Sequence, residues 1–252
     1  MSGGRISLLS TDYDGTISPL EATLEESRVS PFLDVVLRGI AEKTKLAIVT
    51  SKSFDFISSR VPYAHAWGCI GGLDLRFRGG REFAAPPALD VEAALKKANA
   101  LLGDRVSYEE KRSSTSLLGF SVDWRGRPTP PELPKAIAAL KGDGLFVSRE
   151  PHEPFVDFFV SRPDKGSAVS KIKEAFGASR GTAFLGDSST DNAAFWQVEI
   201  PVGIDHGQSL SSLECAFFVA QRDVTPFLSA LSERDMVFDP GLPGLVRREF
   251  GC

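Results

Sequence analysis

Short apolar runs that end in polar residues alternate with amphipathic stretches over the first third of the chain. The first run starts at Ile6, continues through Leu8-Leu9 and ends in Ser10-Thr11-Asp12-Tyr13-Asp14-Gly15-Thr16. A run this short and apolar predicts a buried strand, and Gly15 tolerates the tight turn at its end. The polar stretch from Pro19 to Arg28 reads as a loop closed by Ser30-Pro31, a cap followed by proline at the first helical position. Leu33, Val36, Leu37 and Ile40 then recur at helical spacing, and Lys45 to Thr50 predicts a second buried strand with Thr50, Ser51 and Lys52 at its tip. Ser53 is placed to cap a helix carrying Phe54 and Ile57, Ala66 to Ile70 reads as a third strand, and two Gly-Gly pairs bracket Leu73 to Arg78 as a hairpin or turn-rich edge. Strand, helix, strand predicts a parallel sheet, and in such sheets ligands sit outside the carboxyl ends of the strands.

The rhythm changes at Pro86-Pro87. From there the pattern gives a helix from Leu89 to Leu102 and strands at Arg105 to Lys111 and Thr115 to Trp124. A second helix ending at Leu140 and strands at Leu145 to Ser148 and Phe155 to Val160 follow. That order predicts an α+β module on an antiparallel sheet. The parallel rhythm then resumes. Asp164-Lys165-Gly166-Ser167 opens an amphipathic helix that Gly177 stops, and Thr182 to Asp187 is another apolar run ending in an aspartate. Glu199 to Ile204 and Cys215 to Ala220 read as further strands, and Thr225-Pro226 starts a last core helix; beyond Met236 no element is predicted. The expected architecture is an α/β, Rossmann-like parallel-sheet core formed by residues 1–85 and 162–252, with residues 86–161 inserted as an α+β cap domain.

A chain of 252 residues has room for two such lobes, and a net charge of −4 gives no general attraction to nucleic acid or an anionic membrane surface. No uninterrupted apolar stretch is long enough to cross a bilayer or to form a signal-peptide core, so a cytoplasmic protein without nucleic-acid or membrane partners is expected. Cys69, Cys215 and Cys252 are odd in number and widely spaced, which fits neither a disulfide framework nor a zinc ligand set. His65, His152 and His206 are equally scattered and receive no role.

The predicted strand tips carry groups that suit one chemistry. Asp12 and Asp14 end the first strand, Thr50 the second, and Gly186-Asp187-Ser188-Ser189-Thr190-Asp191 a later one, with Lys165 at a helix start between them. Clustered carboxylates suit Mg²⁺, which takes one or two carboxylates together with water and substrate phosphate oxygens. A carboxylate is also a covalent nucleophile toward phosphorus, and Mg²⁺, Lys165 and the Thr50 hydroxyl would offset the charge on a transferring phosphoryl group. Asp14, two residues along, suits the proton shuttle to the leaving alcohol and from water.

Asp12-Tyr13-Asp14-Gly15-Thr16, a hydroxyl residue after the second strand, a lysine, and Gly186-Asp187-x-x-x-Asp191, in that order, resemble the four motifs of the haloacid dehalogenase superfamily of phosphatases. The resemblance implies that Asp12 is the nucleophile and Asp14 the acid/base. It implies that Asp12, the Asp14 backbone carbonyl and Asp187 hold Mg²⁺, that Thr50 and Lys165 hold the phosphate, and that Asp191 supports the lysine or the metal. It also places the insertion where this superfamily carries a type-2 cap.

Within the superfamily the chain looks most like trehalose-6-phosphate phosphatases. The resemblance rests on Pro19 after the first motif, on Pro163-Asp164-Lys165-Gly166-Ser167-Ala168-Val169, and on Thr190-Asp191 followed by Phe195. Glu109-x-Lys111-x-x-Ser114 is similar to that family's cap element, and Asp157 falls where it has a glutamate. These residues, with Ser51 and Lys52, are the implied contacts to a small phosphosugar substrate. Two positions depart from the family. Thr50-Ser51-Lys52 replaces Ser-Gly-Arg and is nearer to mannosyl-3-phosphoglycerate phosphatases, and Leu118-Gly119-Phe120 stands where the family has His-Tyr-Arg. A catalytically inactive sugar-phosphate sensor is the alternative from outside enzymology, since fold does not fix function. A phospho-accepting signalling module fits less well, because it has no use for so long an insertion.

Overall fold

The apolar run after Ile6 is fully buried as strand β1 (Leu8–Thr11), and its alternation divides the core in two. Leu9 packs in a cluster with Leu37 and Ile40, and Leu8 points to the other face, toward Val169 and Ile172. Burying each such side chain is worth about 1.5–3 kcal/mol, so a strand apolar on both faces is stable only with a helical layer on each side. The computed structural model describes residues 4–20, 22–23, 25–85, 89–149, 154–207 and 212–248. Pro86, Pro87, His152 and Cys252, named above, lie outside them.

Helix α1 (Pro31–Lys43) starts as the sequence predicts, with Ser30 Oγ accepting from Leu33 N. Next come β2 (Lys45–Val49), α2 (Phe54–Arg60) and β3 (Ala66–Cys69); Ser53 precedes α2 but makes no side-chain cap. The glycine-bracketed segment holds one edge strand, β4 (Asp74–Phe77), and Gly79-Gly80 turn the chain into its antiparallel partner, β5 (Glu82–Ala84).

The inserted region builds a separate sheet. It contains α3 (Val91–Leu102), β6 (Ser107–Arg112), β7 (Leu117–Asp123), α4 (Leu133–Gly142), β8 (Phe146–Ser148) and β9 (Phe155–Phe159). The strands pair antiparallel in the order β6-β7-β9-β8. Along β7, Leu118, Phe120 and Val122 are fully buried, and Phe120 stacks on Phe158 at 5.1 Å between centroids. By the period of a strand, Gly119, Ser121 and Asp123 face the other way.

The chain then re-enters the core through α5 (Lys165–Phe176), β10 (Thr182–Gly186), the short α6 (Asn192–Phe195), β11 (Ile200–Asp205), β12 (Phe217–Ala220) and α7 (Val224–Glu233). The tail, for which the sequence predicts nothing, contributes β13 (Leu245–Arg247), antiparallel to β12. Among the described residues the core sheet has the order β13-β12-β11-β10-β1-β2-β3-β4-β5. Its centre, β12 to β3, is parallel, so the tips of β1, β2 and β10 emerge side by side. Among the described residues no helix is long and apolar enough to cross a membrane.

Candidate active site

Register places the Asp12-to-Thr16 turn beside the end of β10, where Asp12 N donates to Leu185 O at 2.8 Å. Gly15 has φ +72°, and a Cβ there would strike the Asp187 carboxylate. Glycine is therefore required both by the turn and by the approach of the two strand tips. Thr16 Oγ1 donates to Asp187 Oδ1 at 3.2 Å, tying the turn to the second aspartate tip.

Lys165 stands between the carboxylates. Its Nζ lies 3.0 Å from Asp12 Oδ2 and donates to Asp191 Oδ1 at 2.7 Å, with all three groups nearly or fully buried. Burial works against the ammonium, but Asp12 and Asp191 outweigh it and hold its pKa above the ordinary lysine value. Burial holds the Asp12 pKa well above the usual carboxylate range; Lys165 pulls it down, and Asp191 and Asp187 push it further up. Lys165 pairs with two of the three carboxylates, Asp12 and Asp191, so the cluster as a whole is short of positive charge.

Asp191 has little left to give a metal. Its Oδ2 accepts from Asp187 N (3.1 Å), Ser188 N (3.0 Å) and Ser188 Oγ (3.2 Å), while Oδ1 takes the lysine. Asp12, Asp187 and Asp191 each place an oxygen within 4.8 Å of the others. A carboxylate offers about four lone-pair sites, so Asp12 and Asp187 are the members with acceptor capacity to spare. An all-oxygen donor set lacking positive charge fits a hard divalent cation such as Mg²⁺.

Asp14 points away from this cluster. Its Oδ1 accepts from Ser27 Oγ at 2.9 Å and its Oδ2 lies 3.6 Å from Lys52 Nζ. Ser27 is itself buried, and its carbonyl accepts from Tyr13 Oη and from Arg60 Nε, both at 2.8 Å. Burial pushes the Tyr13 hydroxyl up to about 12, so it remains a donor. Thr50 keeps its place at the tip of β2 but is 1% exposed, with its Oγ1 accepting from Lys52 N at 3.3 Å. Ser51 and Lys52, not Thr50, form the wall of the cleft.

Sequence reasoning missed two residues here. Ser27 sits in a loop that carries no periodic signal. His206 follows β11, and its Nε2 lies 3.3 Å from Asp187 Oδ2, without the alignment of a full hydrogen bond. The carboxylate raises the imidazole pKa even so. The scattered histidines gave no hint of this, since only the order of the strands brings the end of β11 to the end of β10.

The antiparallel sheet of the insertion faces these tips across a cleft of about 410 Å³, which Asp12, Asp14 and Asp187 line from the core and Glu109, Lys111 and Asp157 from the cap. Lys111 Nζ is nearly buried, 3.9 Å from Glu109 Oε1, 3.7 Å from Asp157 Oδ1 and 3.4 Å from the Ser51 carbonyl across the cleft. Ser121 Oγ donates to Asp157 Oδ1. Ser114 is not among them: it lies in the turn between β6 and β7 and donates to Glu82 Oε1 of β5 at 3.2 Å. None of Leu118-Gly119-Phe120 lines the cleft: Leu118 and Phe120 point into the cap core, and Gly119 is buried against β9. A Cβ on Gly119 would meet the Phe158 carbonyl, so a larger residue there needs the adjacent strand to move.

No family model matches the sequence. A trehalose-6-phosphate phosphatase-related protein of Thermoplasma acidophilum is 22% identical over 232 residues, 87% of this chain and 96% of that protein. Among solved structures, the trehalose-6-phosphate phosphatase C-terminal domain of C. albicans superposes with a TM-score of 0.71 at 15% identity, covering 91% of this chain and 92% of that one. A sugar phosphatase of subclass IIB of the haloacid dehalogenase superfamily gives 0.64 at 12% identity, covering 92% and 100%. The chain has the fold of these phosphatases, a Rossmann-like core with a cap.

Proposed function

We propose that this chain is a Mg²⁺-dependent phosphosugar phosphatase that works through an aspartyl phosphate on Asp12, with residues 86–161 acting as its substrate-facing cap. The observation that carries the reading is the convergence of Asp12, Asp187 and Lys165 at one end of the parallel sheet, opposite a cap surface bearing Glu109, Lys111 and Asp157. Asp12, Asp187 and the Asp14 backbone carbonyl would hold the metal. Charge on the phosphoryl oxygens is neutralised by Mg²⁺ when it is bound, and by Lys165.

In the first step an Asp12 carboxylate oxygen attacks phosphorus, the bond from phosphorus to the ester oxygen breaks, and Asp14 gives its proton to the departing alcohol. In the second, Asp14 takes a proton from water as that water attacks phosphorus, releasing phosphate and restoring Asp12. Ser27 and Lys52 grip the two Asp14 oxygens and fix where its proton is delivered. General acid catalysis typically supplies a factor of about 10²–10⁴. Asp14→Asn is therefore expected to slow hydrolysis of a sugar phosphate by about a hundredfold or more, and that of p-nitrophenyl phosphate far less, since nitrophenolate departs without help. Equal losses on the two substrates would reassign Asp14 to a structural role.

Trehalose 6-phosphate is the first candidate substrate and mannosyl-3-phosphoglycerate the second. The first draws on the names of the relatives. The second draws on Lys52, although its pairing with Asp14 leaves it less free to meet a glycerate carboxylate. An inactive sensor has no need to keep Asp12 and Asp14 both intact. Phosphate release across a panel of sugar phosphates, with and without Mg²⁺, tests the proposal; no release from any of them would defeat it. On the preferred sugar phosphate, Lys111→Ala should lower kcat/KM by about tenfold, the cost of one lost charged hydrogen bond, while sparing p-nitrophenyl phosphate. Loss on both would mean that Lys111 serves the cap fold and not the sugar.

A further inference from the structure

A further cavity lies at the opposite end of the core sheet from the catalytic carboxylates. It has about 430 Å³ and opens where β1 and β2 begin, lined by Arg5, Ile6, Ala41, Lys43, Lys45 and His65 among others. β1 and β2 run parallel from this end to Asp12 and Thr50 at the other, so the two cavities are separate. Three of the lining groups are cations with donors to spare. Arg5 spends only Nη2, on Asp235 Oδ1 at 3.2 Å and on the Lys43 carbonyl at 3.4 Å. Lys43 Nζ donates to Ser232 O at 2.7 Å and Ser232 Oγ at 3.2 Å, which leaves one N–H of its three. Lys45 Nζ lies over the Phe176 ring, 5.7 Å from its centroid. Among the described residues neither lysine has a carboxylate partner. A cation in the last turn of a helix offsets the carbonyl dipoles there, and this accounts for Lys43 at the end of α1. It does not account for Lys45, which opens β2.

His65 sits in the same positive field. Its Nδ1 accepts from Leu46 N at 3.2 Å, which leaves the ring proton on Nε2 as a donor. Burial lowers its pKa, and Lys45 and Arg78 lower it further. Against Arg5, Lys43 and Lys45 stand Glu42 in the lining and Asp235 beside Arg5, so the cavity keeps an excess of positive charge in a chain of net charge −4. We infer that this cavity is an anion site that takes a phosphate group, free or carried on a small organic body, and that it is distinct from the site of hydrolysis. Ammonium and guanidinium donors suit phosphate oxygens, which accept several charge-assisted hydrogen bonds at once. Ile6 and Ala41 offer apolar surface to a carbon body, and the volume is that of a small-ligand pocket. The inference does not rest on the phosphatase reading.

The test is binding of inorganic phosphate and of glucose 6-phosphate to the full chain in EDTA at constant ionic strength. Without metal, Asp12, Asp14 and Asp187 repel an anion from the catalytic cleft. The NMR ring signals of His65, one of three histidines in the chain, should shift saturably, and its pKa should rise because a bound dianion offsets Lys45 and Arg78. Lys45→Ala, at an exposed position, should weaken binding about tenfold, the cost of one charged hydrogen bond, and Lys45→Arg should retain it. Tighter binding of the ester assigns an organic phosphate as the ligand, and equal binding assigns free phosphate. No saturation, an undiminished shift in Lys45→Ala, or the same shift with chloride alone overturns the inference. Hydrolysis of p-nitrophenyl phosphate with Mg²⁺ by Lys45→Ala should stay within about twofold of wild type. A loss that parallels the loss of binding would mean that the shift reports the catalytic cleft, and would overturn the inference as well. Saturable binding by a wild type that hydrolyses no substrate would end the phosphatase reading and keep this site. Hydrolysis without a saturable shift would do the reverse.

Discussion

Asp12→Asn should abolish phosphate release, by at least about a thousandfold, while leaving the fold intact, since removing a covalent nucleophile elsewhere costs more than that. The substitution keeps the side-chain shape and removes the oxygen nucleophile. Lys165 loses one of its two carboxylates but retains Asp191 at 2.7 Å, so no unpaired charge is left buried. The variant also relieves the repulsion of Asp12 by Asp191 and Asp187, and its melting temperature without metal should stay within about 3 °C of wild type or rise. Added Mg²⁺ should stabilise it less than wild type, because one of the two carboxylates with free lone pairs is gone. Turnover near the wild-type rate in this variant would remove Asp12 from the chemistry. A collapse in melting temperature with it would leave Asp12 as a structural partner of Lys165.

What the sequence made legible is what repeats locally. β1, β2 and β10 are short apolar runs between polar turns, and their tips announce Asp12, Thr50 and Asp187 because catalytic groups in parallel sheets are carried there. The cap strand β7 was also legible in detail. Leu118, Phe120 and Val122 alternate with Gly119, Ser121 and Asp123, and this period separates the cap core from the face toward the cleft. What failed were positions fixed by distant chain. His206 reaches Asp187 only through the neighbouring of β11 and β10, Ser27 reaches Asp14 through a loop without periodicity, and β13 is too short to signal itself. Ser114 matched by spacing along β6, but the strand ends at Arg112 after a register shift between Lys111 and Arg112, and the turn carries Ser114 to Glu82.

The motif leaves Asp191 two roles, support of the lysine or of the metal, and Asp191→Asn separates them. As a metal ligand, its replacement by asparagine would weaken Mg²⁺ binding and leave the metal-free protein as stable as before. The geometry gives a different expectation. Both oxygens face only donors, the lysine at Oδ1 and two backbone N–H groups with a hydroxyl at Oδ2. An asparagine must turn its NH₂ toward one of these sets, so either the ammonium or the strand-end amides meet a donor where an acceptor is required. The residue is fully buried, so water does not relieve the mismatch. Lys165 keeps Asp12 at 3.0 Å, so the cost is that of a buried donor facing a donor, about 1–3 kcal/mol and more where the charged group is involved, which for a chain of this size lowers the melting temperature by about 4 °C or more. The measurement is thermal unfolding in EDTA, where no metal contributes. A fall of that size assigns Asp191 to holding Lys165 and the Asp187 turn in place, and Mg²⁺ affinity should then weaken as a consequence of a displaced Asp187. An unchanged metal-free melting temperature with weakened Mg²⁺ binding would instead make Asp191 a direct ligand, and its four hydrogen bonds would have to rearrange when the metal arrives.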